Sequence, residues 1–579
     1  MSQSSNSATQ LPTLSSTSHG FPQVVRALRE FSWPLLVYGV ATFATKAYFM
    51  GDTRDYADAI AARAIGRDYY FWEFGHVLWR PLGYLVFKIS EPLTAYAVGN
   101  DVLIQATLVL LVLSWLSGLL SVLGVHWLLS RICRKRWVVY ASTIAFVFWL
   151  SFLNYFHSGA PYIPGLSLII LALCFLNPDK QDEAISRTRS LLAAVALAGA
   201  VCMWFPYVVV TPAVVLSTGF LRGFDKQRLV VSIQTLIAAG ILTLALYVVV
   251  AWQIGVHSPS EFKAWFTLTS GGAATTSNSG IMRAIFGFAR AFVSMGSDGM
   301  LFKRYLLKDP FNPVSFLDLV RLSFWKLLAF YTFVLAIILS LLSNSRGRRV
   351  LALLACAGIP VLAFAIYWQG GDPERYLALF PFLVLAVGVS FEVNSRPILK
   401  YVVLVFLAGA TALNVSVLAT PRLNQQQQSS AARVSAILPS LRPASIVITA
   451  NWQDELVNFN RTFPFNPVNR KQNLQIGAVI TPGRSETTSW RDDFLKSAES
   501  VWNKGGDVWL SKRLFASTPK PEWNWVEGDT PNISWTDLYN LFSQLDLGQS
   551  TGGADGFVLL LPSERNKESI RRSADETKR

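Results

Sequence analysis

The sequence predicts a polytopic α-helical membrane protein with about 11 transmembrane helices and a small C-terminal extracytoplasmic α/β domain. Of the 579 residues, 52% are hydrophobic and only 15% are charged, with a mean hydropathy of +0.36, whereas about a quarter of the residues in soluble domains are charged. Apolar runs of about 20 residues, long enough to cross a bilayer, recur along the chain. Cationic turns between these runs indicate which side each loop occupies.

The first apolar run and its flanks set the predicted orientation. Residues 1–25 are polar and indicate a disordered cytoplasmic arm, which Arg26 and Arg29 separate from the run Phe31–Met50. The segment 131–136 carries four cations and is the strongest cytoplasmic marker in the chain. Later cationic turns fall where a cytoplasmic N-terminus and an outer C-terminus require them. Much of the net charge of +15 thus lies in short turns that set the orientation. The charge therefore predicts no nucleic-acid partner.

Two large external loops are predicted within the transmembrane domain, residues 26–420. The first covers 51–100, and its part 76–91 is expected to lie on the membrane surface as a helix because charges and prolines interrupt it. The second covers 253–318. Between them, the apolar stretch 190–220 is broken at Phe205-Pro206-Tyr207, which predicts a hairpin of two short helices.

The C-terminal quarter is polar and has a different pattern. Residues 421–439 are predicted as a linker, 440–565 as an extracytoplasmic α/β domain and 566–579 as a polar tail. Alternating strand and helix patterns suggest the α/β class. The predicted strands are 445–451, 506–511 and 556–562, and the predicted helices are 492–504 and 536–545.

Two carboxylates open the first external loop. Asp52 and Asp55 lie in GDTRDY directly after the first apolar run, three residues apart, so one helical turn places them on one face. A carboxylate beside the membrane surface can act as a general base on a hydroxyl group. The alternative is a helix start, with Asp52 as N-cap and Asp55 offsetting the helix dipole. The residues alone leave both interpretations open.

A second candidate cluster follows in EFGHVLWRP, residues 73–81. His76 and Arg80 are four residues apart on the predicted surface helix, and such side chains can contact phosphate or sugar. The alternative is anchoring in the lipid headgroups by Trp79 and Arg80.

A third candidate is DPERY, residues 372–376, in a short external loop. Arg375 stands at the outer mouth of a helix, where a guanidinium can meet an anionic phosphate. Its neighbours Glu374 and Tyr376 are predicted to bind substrate with it. The alternative is a solvated charge in a turn.

Four motifs occur in a recognisable order. They are the acidic start GDTRDY, the His76 segment ending in Pro-Leu-Gly-Tyr, the stretch FWLSFLNYFHSGAPYIPGLSLIILAL and the late RYLALFPFL. Over roughly residues 30–420 this order resembles the GT-C membrane glycosyltransferases, in particular the bacterial relatives of protein O-mannosyltransferases. The family pattern has Pro-Pro after the histidine, where this chain has Val77-Leu78 and a later Pro81, and Glu at the second carboxylate, where it has Asp55.

The resemblance implies an inverting hexosyltransferase that works on the outer face. Its donor would be a polyprenyl-phosphate-linked sugar, and its acceptor hydroxyl would belong to a lipid, glycan or protein. Asp52 and Asp55 match the family's acidic positions, one of which deprotonates the acceptor. His76 and Arg375 match its histidine and arginine. Some members use a divalent metal ion, and no His/carboxylate cluster in this sequence demands one.

Two other classes of function remain open from the sequence. One is a transporter or flippase of a lipid-linked or polar substrate, although the chain has no evident inverted repeat and its charges lie in loops. The other is a non-catalytic scaffold built on the same frame. In each case the protein is expected in a bacterial inner membrane, in contact with membrane lipids.

Overall fold

The structure is a computed structural model, in which side chains are present. It describes residues 20–48, 50, 52–67, 71–177, 185–270, 280–296, 300–442, 444–451, 454, 456, 475–480, 490–520, 523, 525–526, 533–551, 553 and 556–576. The predicted stretch 1–19 of the arm lies outside these residues.

The first half of the described chain is helical. Its helices are α1 (Gly20–Ala44), α2 (Thr53–Ala64), α3 (Trp79–Val98), α4 (Val102–Ile132), α5 (Arg136–Phe148), α6 (Leu150–Tyr155), α7 (Tyr162–Leu176), α8 (Arg187–Met203), α9 (Thr211–Arg222) and α10 (Lys226–Gln253). A 3₁₀ turn, Phe205–Val210, separates α8 from α9. The chain thus breaks at the predicted Phe-Pro-Tyr, because Pro206 has no N–H to continue a helix.

The second outer loop and the later membrane segments are also helical. They contain α11 (Pro259–Ser270), α12 (Gly280–Phe292), α13 (Met300–Leu307), α14 (Phe316–Leu319), α15 (Trp325–Leu341), α16 (Ser345–Tyr367), α17 (Phe380–Val393), α18 (Pro397–Leu418) and α19 (Thr420–Ser435). A π-helical turn, Val320–Phe324, joins α14 to α15, and a 3₁₀ turn, Pro373–Leu379, leads into α17.

The helical part has the length and composition of a multi-pass membrane protein. Within the part of the chain that the structure describes, seven helical segments are long and apolar enough to cross a bilayer: Val102–Ile132, Phe205–Arg222, Lys226–Gln253, Phe316–Leu341, Ser345–Tyr367, Pro373–Val393 and Pro397–Leu418. Phe31–Ala44, Arg136–Phe148 and Tyr162–Leu176 are shorter apolar helices. The predicted count of about 11 crossings requires these shorter helices, and α8, to span as well.

Short polar side chains start several of these helices. Asp101 accepts hydrogen bonds from the N–H groups of Leu103 and Ile104, and Ser186, Asp225 and Asn344 cap α8, α10 and α16 in the same manner. Such caps satisfy N–H groups that have no partner within the helix. The caps therefore explain why these apolar helices begin where the preceding loops end.

The core of the membrane part forms around α4, α7 and α17. In the most apolar 18 residues of the span Pro373–Val393, 89% are buried inside the protein, against 17% in the corresponding part of Lys226–Gln253. Pro373–Val393 also carries three of the predicted site residues, and its burial holds that segment in place from all sides. The predicted site residues of the DPERY segment therefore lie at the start of one of the most tightly packed helical segments of the fold.

The C-terminal domain contains a five-stranded sheet. Its strands are β1 (Ile446–Asn451), β2 (Gln475–Ile480), β3 (Val508–Ser511), β4 (Leu547–Thr551) and β5 (Phe557–Leu560), in the order β2-β1-β3-β5-β4. β1 pairs in parallel with β2 and β3, whereas β5 is antiparallel to β3 and β4. Its described helices are α20 (Trp490–Asn503), α21 (Trp535–Phe542) and α22 (Glu564–Glu576). The predicted α/β domain is confirmed in these elements.

Three segments are more helical than the sequence suggested. Residues 20–25 of the predicted arm belong to α1, and most of the predicted linker forms α19, since its glutamines, alanines and arginines favour helix. Most of the predicted polar tail belongs to α22. There Ile570 is fully buried, and Arg571 pairs with Glu499 of α20 at 2.9 Å. Burial of the Ile570 side chain thus holds an otherwise polar helix against the C-terminal domain.

Candidate active site

The predicted carboxylate Asp52 lies at the start of α2. It occupies the N-cap position, yet its side chain makes no hydrogen bond to the first N–H groups of the helix. Capping is the alternative role for this residue, and the geometry does not support it. The carboxylate is exposed, interacts electrostatically with Tyr162 and raises the pKa of Asp372. Asp52 therefore contributes its charge to a site shared with the late DPERY turn.

Asp55, the second predicted carboxylate, has different neighbours. It is exposed in the first turn of α2, where its charge raises the pKa values of Asp58 and Glu73. A carboxylate in a first helical turn is stabilised by the helix dipole. The two candidates are thus distinguished by their surroundings, and only Asp52 interacts with the late turn.

An ion pair with little exposure lies in the middle of the first outer loop. Arg80 at the start of α3 lies 2.8 Å from the carboxylate of Glu73, and its guanidinium stacks over Tyr56 of α2 at 5.3 Å. Burial raises the pKa of Glu73, and the charge of Arg80 opposes that shift. Since breaking a buried pair leaves an uncompensated charge, Arg80 holds α2 against α3. This role differs from the direct substrate contact predicted for it.

His76 is buried beside this pair. Its Nδ1 lies 3.1 Å from the carbonyl oxygen of Met203, and its ring meets Tyr56 edge-on at 5.3 Å. Burial, with smaller contributions from the charges of Arg80 and Arg375, lowers the pKa of His76 to about 3. The imidazole is therefore neutral near pH 7. Because Nδ1 donates its proton to the Met203 carbonyl oxygen, Nε2 can accept a hydrogen bond, and the ring offers no positive charge to a phosphate.

Arg375 lies in a tight turn between α16 and α17. The preceding Gln369 has a φ of 48°, a left-handed conformation that costs a non-glycine residue free energy. The Gln369 side chain accepts a hydrogen bond from Nη2 of Arg375, and the same nitrogen lies 4.0 Å from Asp372. The strained backbone at Gln369 therefore places a side chain that orients Arg375.

Two tryptophans cover the faces of the Arg375 guanidinium. Trp204 lies 5.7 Å and Trp368 lies 5.6 Å from it, measured to the ring centroids. Such cation–π contacts leave only the edge of the planar group for hydrogen bonding. On that edge, Nε is buried and has no hydrogen-bond partner among the described residues. The arrangement suits an anionic oxygen that approaches in the guanidinium plane.

The residues on either side of Arg375 are engaged by the protein. Glu374 is buried and accepts a 2.7 Å hydrogen bond from the hydroxyl of Tyr155. The Tyr376 hydroxyl lies 2.7 Å from the carbonyl oxygen of Gly370 and 3.0 Å from that of Ala284. Tyr376 thus ties α12 to the turn, whereas the sequence suggested a substrate contact for it.

α12 packs against the turn with almost no space between the two backbones. A Cβ atom added to Gly287 would stand 2.0 Å from the carbonyl oxygen of Gly370. Nη1 of Arg290, one turn further along α12, donates a 3.3 Å hydrogen bond to the carbonyl oxygen of Gly371. The second outer loop therefore supports the turn that presents Arg375.

We expect Gly287→Ala to destabilise the protein by about 1–3 kcal/mol, because the added methyl group must displace backbone atoms. Since this displacement shifts the turn that holds Arg375, activity is expected to fall as well. Gly358→Ala is the control, since a Cβ at Gly358 of α16 meets nothing within 4 Å. Thermal unfolding of both variants in detergent checks the expectation. Equal midpoints for the two variants would contradict the close packing of α12.

An apolar cavity lies next to the first-loop residues. It has a volume of about 760 Å³ and lies between α8, α9 and α10, with α11 at one end. Aromatic side chains dominate that end, and His257 is one of its few polar residues: Phe74, Phe205, Tyr247, Trp252, His257 and Phe262 line it. Because Phe74 is two residues from His76, the cavity reaches the segment that carries the buried cluster.

A shared metal ion does not fit the side chains that the structure describes. Within that part of the chain, no three His, Cys, Asp or Glu residues are grouped so that they could hold one. Glu73 is paired with Arg80, and Glu374 is hydrogen-bonded to Tyr155. No step proposed below uses a metal ion.

The fold brings the first-loop and late candidates into one electrostatic cluster. Asp52 interacts with Asp372, and His76 with Arg375, although the two segments are far apart in sequence. Sequence reasoning missed several members of the cluster: Glu73, Tyr155, Tyr162, Trp204, Arg290, Gln369 and Asp372. Glu73 and Asp372 lie within motifs already singled out. The partners from α7, α8 and α12 carry no local signal of their position.

No family model and no curated protein matches the chain. Solved structures resemble it over most of its length. ArnT from Cupriavidus metallidurans in the apo state is 12% identical with a TM-score of 0.48, over 93% of this chain and 98% of that one. The same protein bound to undecaprenyl phosphate is 13% identical with a TM-score of 0.47, over 93% and 99% of the two chains.

An archaeal oligosaccharyltransferase, AglB from Archaeoglobus fulgidus, solved with an inhibitory peptide and a dolichol-phosphate, is also similar. It is 12% identical with a TM-score of 0.43, over 94% of this chain and 77% of that one. Identities this low, with TM-scores below 0.5, assign no function to this chain.

Proposed function

We propose that the protein is a membrane glycosyltransferase that moves a sugar from a polyprenyl-phosphate donor to an acceptor hydroxyl. One observation carries the proposal: a carboxylate that caps no helix, Asp52, shares a charge cluster with an arginine whose Nε edge has no described partner. A base and an anion-binding group in one cluster are what sugar transfer from a lipid phosphate requires. The resemblance of the sequence motifs to GT-C enzymes points the same way.

In the proposed reaction, Asp52 accepts the proton of the acceptor hydroxyl. The acceptor oxygen then forms a bond to the anomeric carbon on the face opposite the phosphate, so the configuration inverts. Asp52 is exposed and makes no capping bond, so its role at this position is not that of a helix cap. Asp55, which lies near Asp58 and Glu73, is proposed to tune the local field rather than to act as the base.

The bond from the anomeric carbon to the phosphate oxygen breaks as the new bond forms, and the phosphate keeps the electron pair. Arg375 is proposed to bind this growing negative charge through its Nε edge. Because Trp204, Trp368 and Gln369 hold the guanidinium in advance, little reorganisation is needed at that moment. His76, being neutral and donating its Nδ1–H to Met203, is proposed to accept a hydrogen bond from a sugar hydroxyl at Nε2.

The proposed donor is a lipid because an apolar cavity adjoins the cluster. At about 760 Å³, it has the size and apolar lining of a ligand site and adjoins Phe74 in the first loop. Cationic turns such as 131–136 are proposed to face the cytoplasm, which puts the cluster and the C-terminal domain on the outer side. The acceptor is then a molecule of the cell envelope.

The test is sugar transfer in membranes that contain the protein. A panel of radiolabelled polyprenyl-phosphate sugars is supplied, and lipid, glycan and protein fractions are counted. The proposal expects one donor to label one fraction, and it expects membranes without the protein to give none. If every donor fails while the protein is folded, the glycosyltransferase proposal is wrong and a transporter becomes the better hypothesis.

A further inference from the structure

Asp372 stands where an external anion would be expected. Its carboxylate lies 4.0 Å from Nη2 of Arg375 and interacts electrostatically with Arg290, which reaches the same turn from α12. Two guanidinium groups around one oxyanion are a common arrangement for phosphate recognition in proteins. In this structure, the oxyanion between them is a side chain of the protein.

The carboxylate is also reachable from outside. The Asp372 side chain keeps 44% of its accessible surface, against 12% for Arg375. It is attached to a short turn rather than to a helix, so a change of its χ angles withdraws it without moving α16 or α17. An incoming phosphate can therefore take its place.

We propose that Asp372 is a resident anion of the Arg290–Arg375 pair and that the phosphate of the lipid donor displaces it. The inference rests on the proposed function only in taking a lipid phosphate as the incoming anion. When the phosphate binds, Asp372 loses its attraction to the arginines and faces a second negative charge, so it takes up a proton. Anion binding is then coupled to protonation of one carboxyl group.

The surroundings of Asp372 support this coupling. Although its side chain stays partly accessible, desolvation by the surrounding protein raises the pKa of Asp372, as do the charges of Glu374 and Asp52, while Arg375 and Arg290 lower it. Other titratable groups that interact with it are the phenols Tyr155, Tyr162 and Tyr376. A carboxyl whose pKa already lies above its usual range is easily protonated when an anion replaces it.

The sign of the pH effect follows from linkage. Since the bound state holds one more proton than the free state, affinity is highest below the pKa of free Asp372. Above that pKa it falls by up to about tenfold per pH unit. The fall ends once the pH exceeds the still higher pKa of Asp372 in the anion-bound state.

The experiment measures binding to the full-length protein in detergent. The probe is the methyl ester of a polyprenyl phosphate, a diester that keeps a single negative charge between pH 5 and pH 9, so the probe itself adds no titration. Wild-type protein is expected to bind it more weakly as pH rises. Asp372→Asn is expected to bind it with little pH dependence and, at pH 8, about tenfold more tightly than wild type.

Two variants guard against a merely structural effect. Asp372→Glu keeps a carboxylate and is expected to keep the pH slope. Arg290→Gln removes a charge that lowers the pKa of Asp372, so the loss of affinity is expected to begin at higher pH. Glu91→Gln, in an exposed pair with Lys88, is the control and is expected to match wild type.

The outcomes separate the inference from the proposed function. If wild type binds the diester but Asp372→Asn keeps the wild-type pH slope, the displacement of Asp372 by the phosphate is disproved. The glycosyltransferase proposal then stands. If the affinity of wild type for the diester falls with pH as expected but no donor gives sugar transfer, the proposed function is wrong. The displacement of Asp372 by the phosphate then stands. If wild type binds no diester at all, the displacement of Asp372 by a phosphate is disproved, and the transfer panel alone decides the proposed function.

Discussion

Asp52→Asn is expected to lower the rate of sugar transfer by about 10²–10⁴-fold, the usual contribution of a general base. The amide keeps the size of the side chain but cannot accept the acceptor's proton. Stability is expected to change little, because the Asp52 side chain makes no capping bond whose loss would destabilise α2. The measurement is single-turnover transfer from the donor found in the panel, with thermal unfolding in parallel.

Asp55→Asn is the matched comparison, since it makes the same chemical change one helical turn away. We expect a much smaller loss, because Asp55 interacts with Asp58 and Glu73 rather than with the late turn. Full activity of Asp52→Asn together with an inactive Asp55→Asn would transfer the role of base to Asp55. Full activity of both variants would exclude Asp52 and Asp55 as the base and assign proton removal to another group, while sugar transfer itself would stand.

The fold could be predicted from the sequence where one physical signal dominates. Long apolar runs predicted the spans, and short strand-like segments predicted β1, β3 and β5. The strand β4, Leu547–Thr551, was missed because most of its side chains are exposed and only backbone pairing with β5 defines it. In α22, one buried isoleucine outweighs a polar sequence. Such contacts depend on partners that are distant in the chain.

The same distinction between local signals and distant contacts applies to the residues of the candidate site. Asp52 and Arg375 could be picked out because their chemistry and their places beside apolar runs are visible in the sequence. The tryptophans that cover Arg375 come from the end of α8 and the end of α16, and nothing local to either one pairs it with an arginine. Arg80 and Tyr376 were read as substrate contacts, because the ion pair of the first and the hydroxyl partners of the second become visible only once the chain is folded.

Arg375→Lys is expected to lower kcat/KM for transfer by about 10²–10³-fold, although the positive charge is kept. That is the usual cost of removing one preorganised donor from a developing oxyanion. An ammonium group lacks the planar face that stacks between Trp204 and Trp368 and the edge that presents Nε. Its charge would point along the side chain, whereas the guanidinium presents parallel N–H bonds.

Arg375→Gln is expected to cost more than Arg375→Lys, because it leaves the departing phosphate without a positive charge and leaves Asp372 and Glu374 without their nearest one. Arg348→Lys makes the same exchange at an exposed position near the start of α16 and is expected to retain wild-type activity. Transfer kinetics for the three variants, with their unfolding midpoints, decide the matter. If Arg375→Lys is as active as Arg348→Lys, the edge of the guanidinium does not bind the phosphate, and a simple positive charge at the turn would be enough.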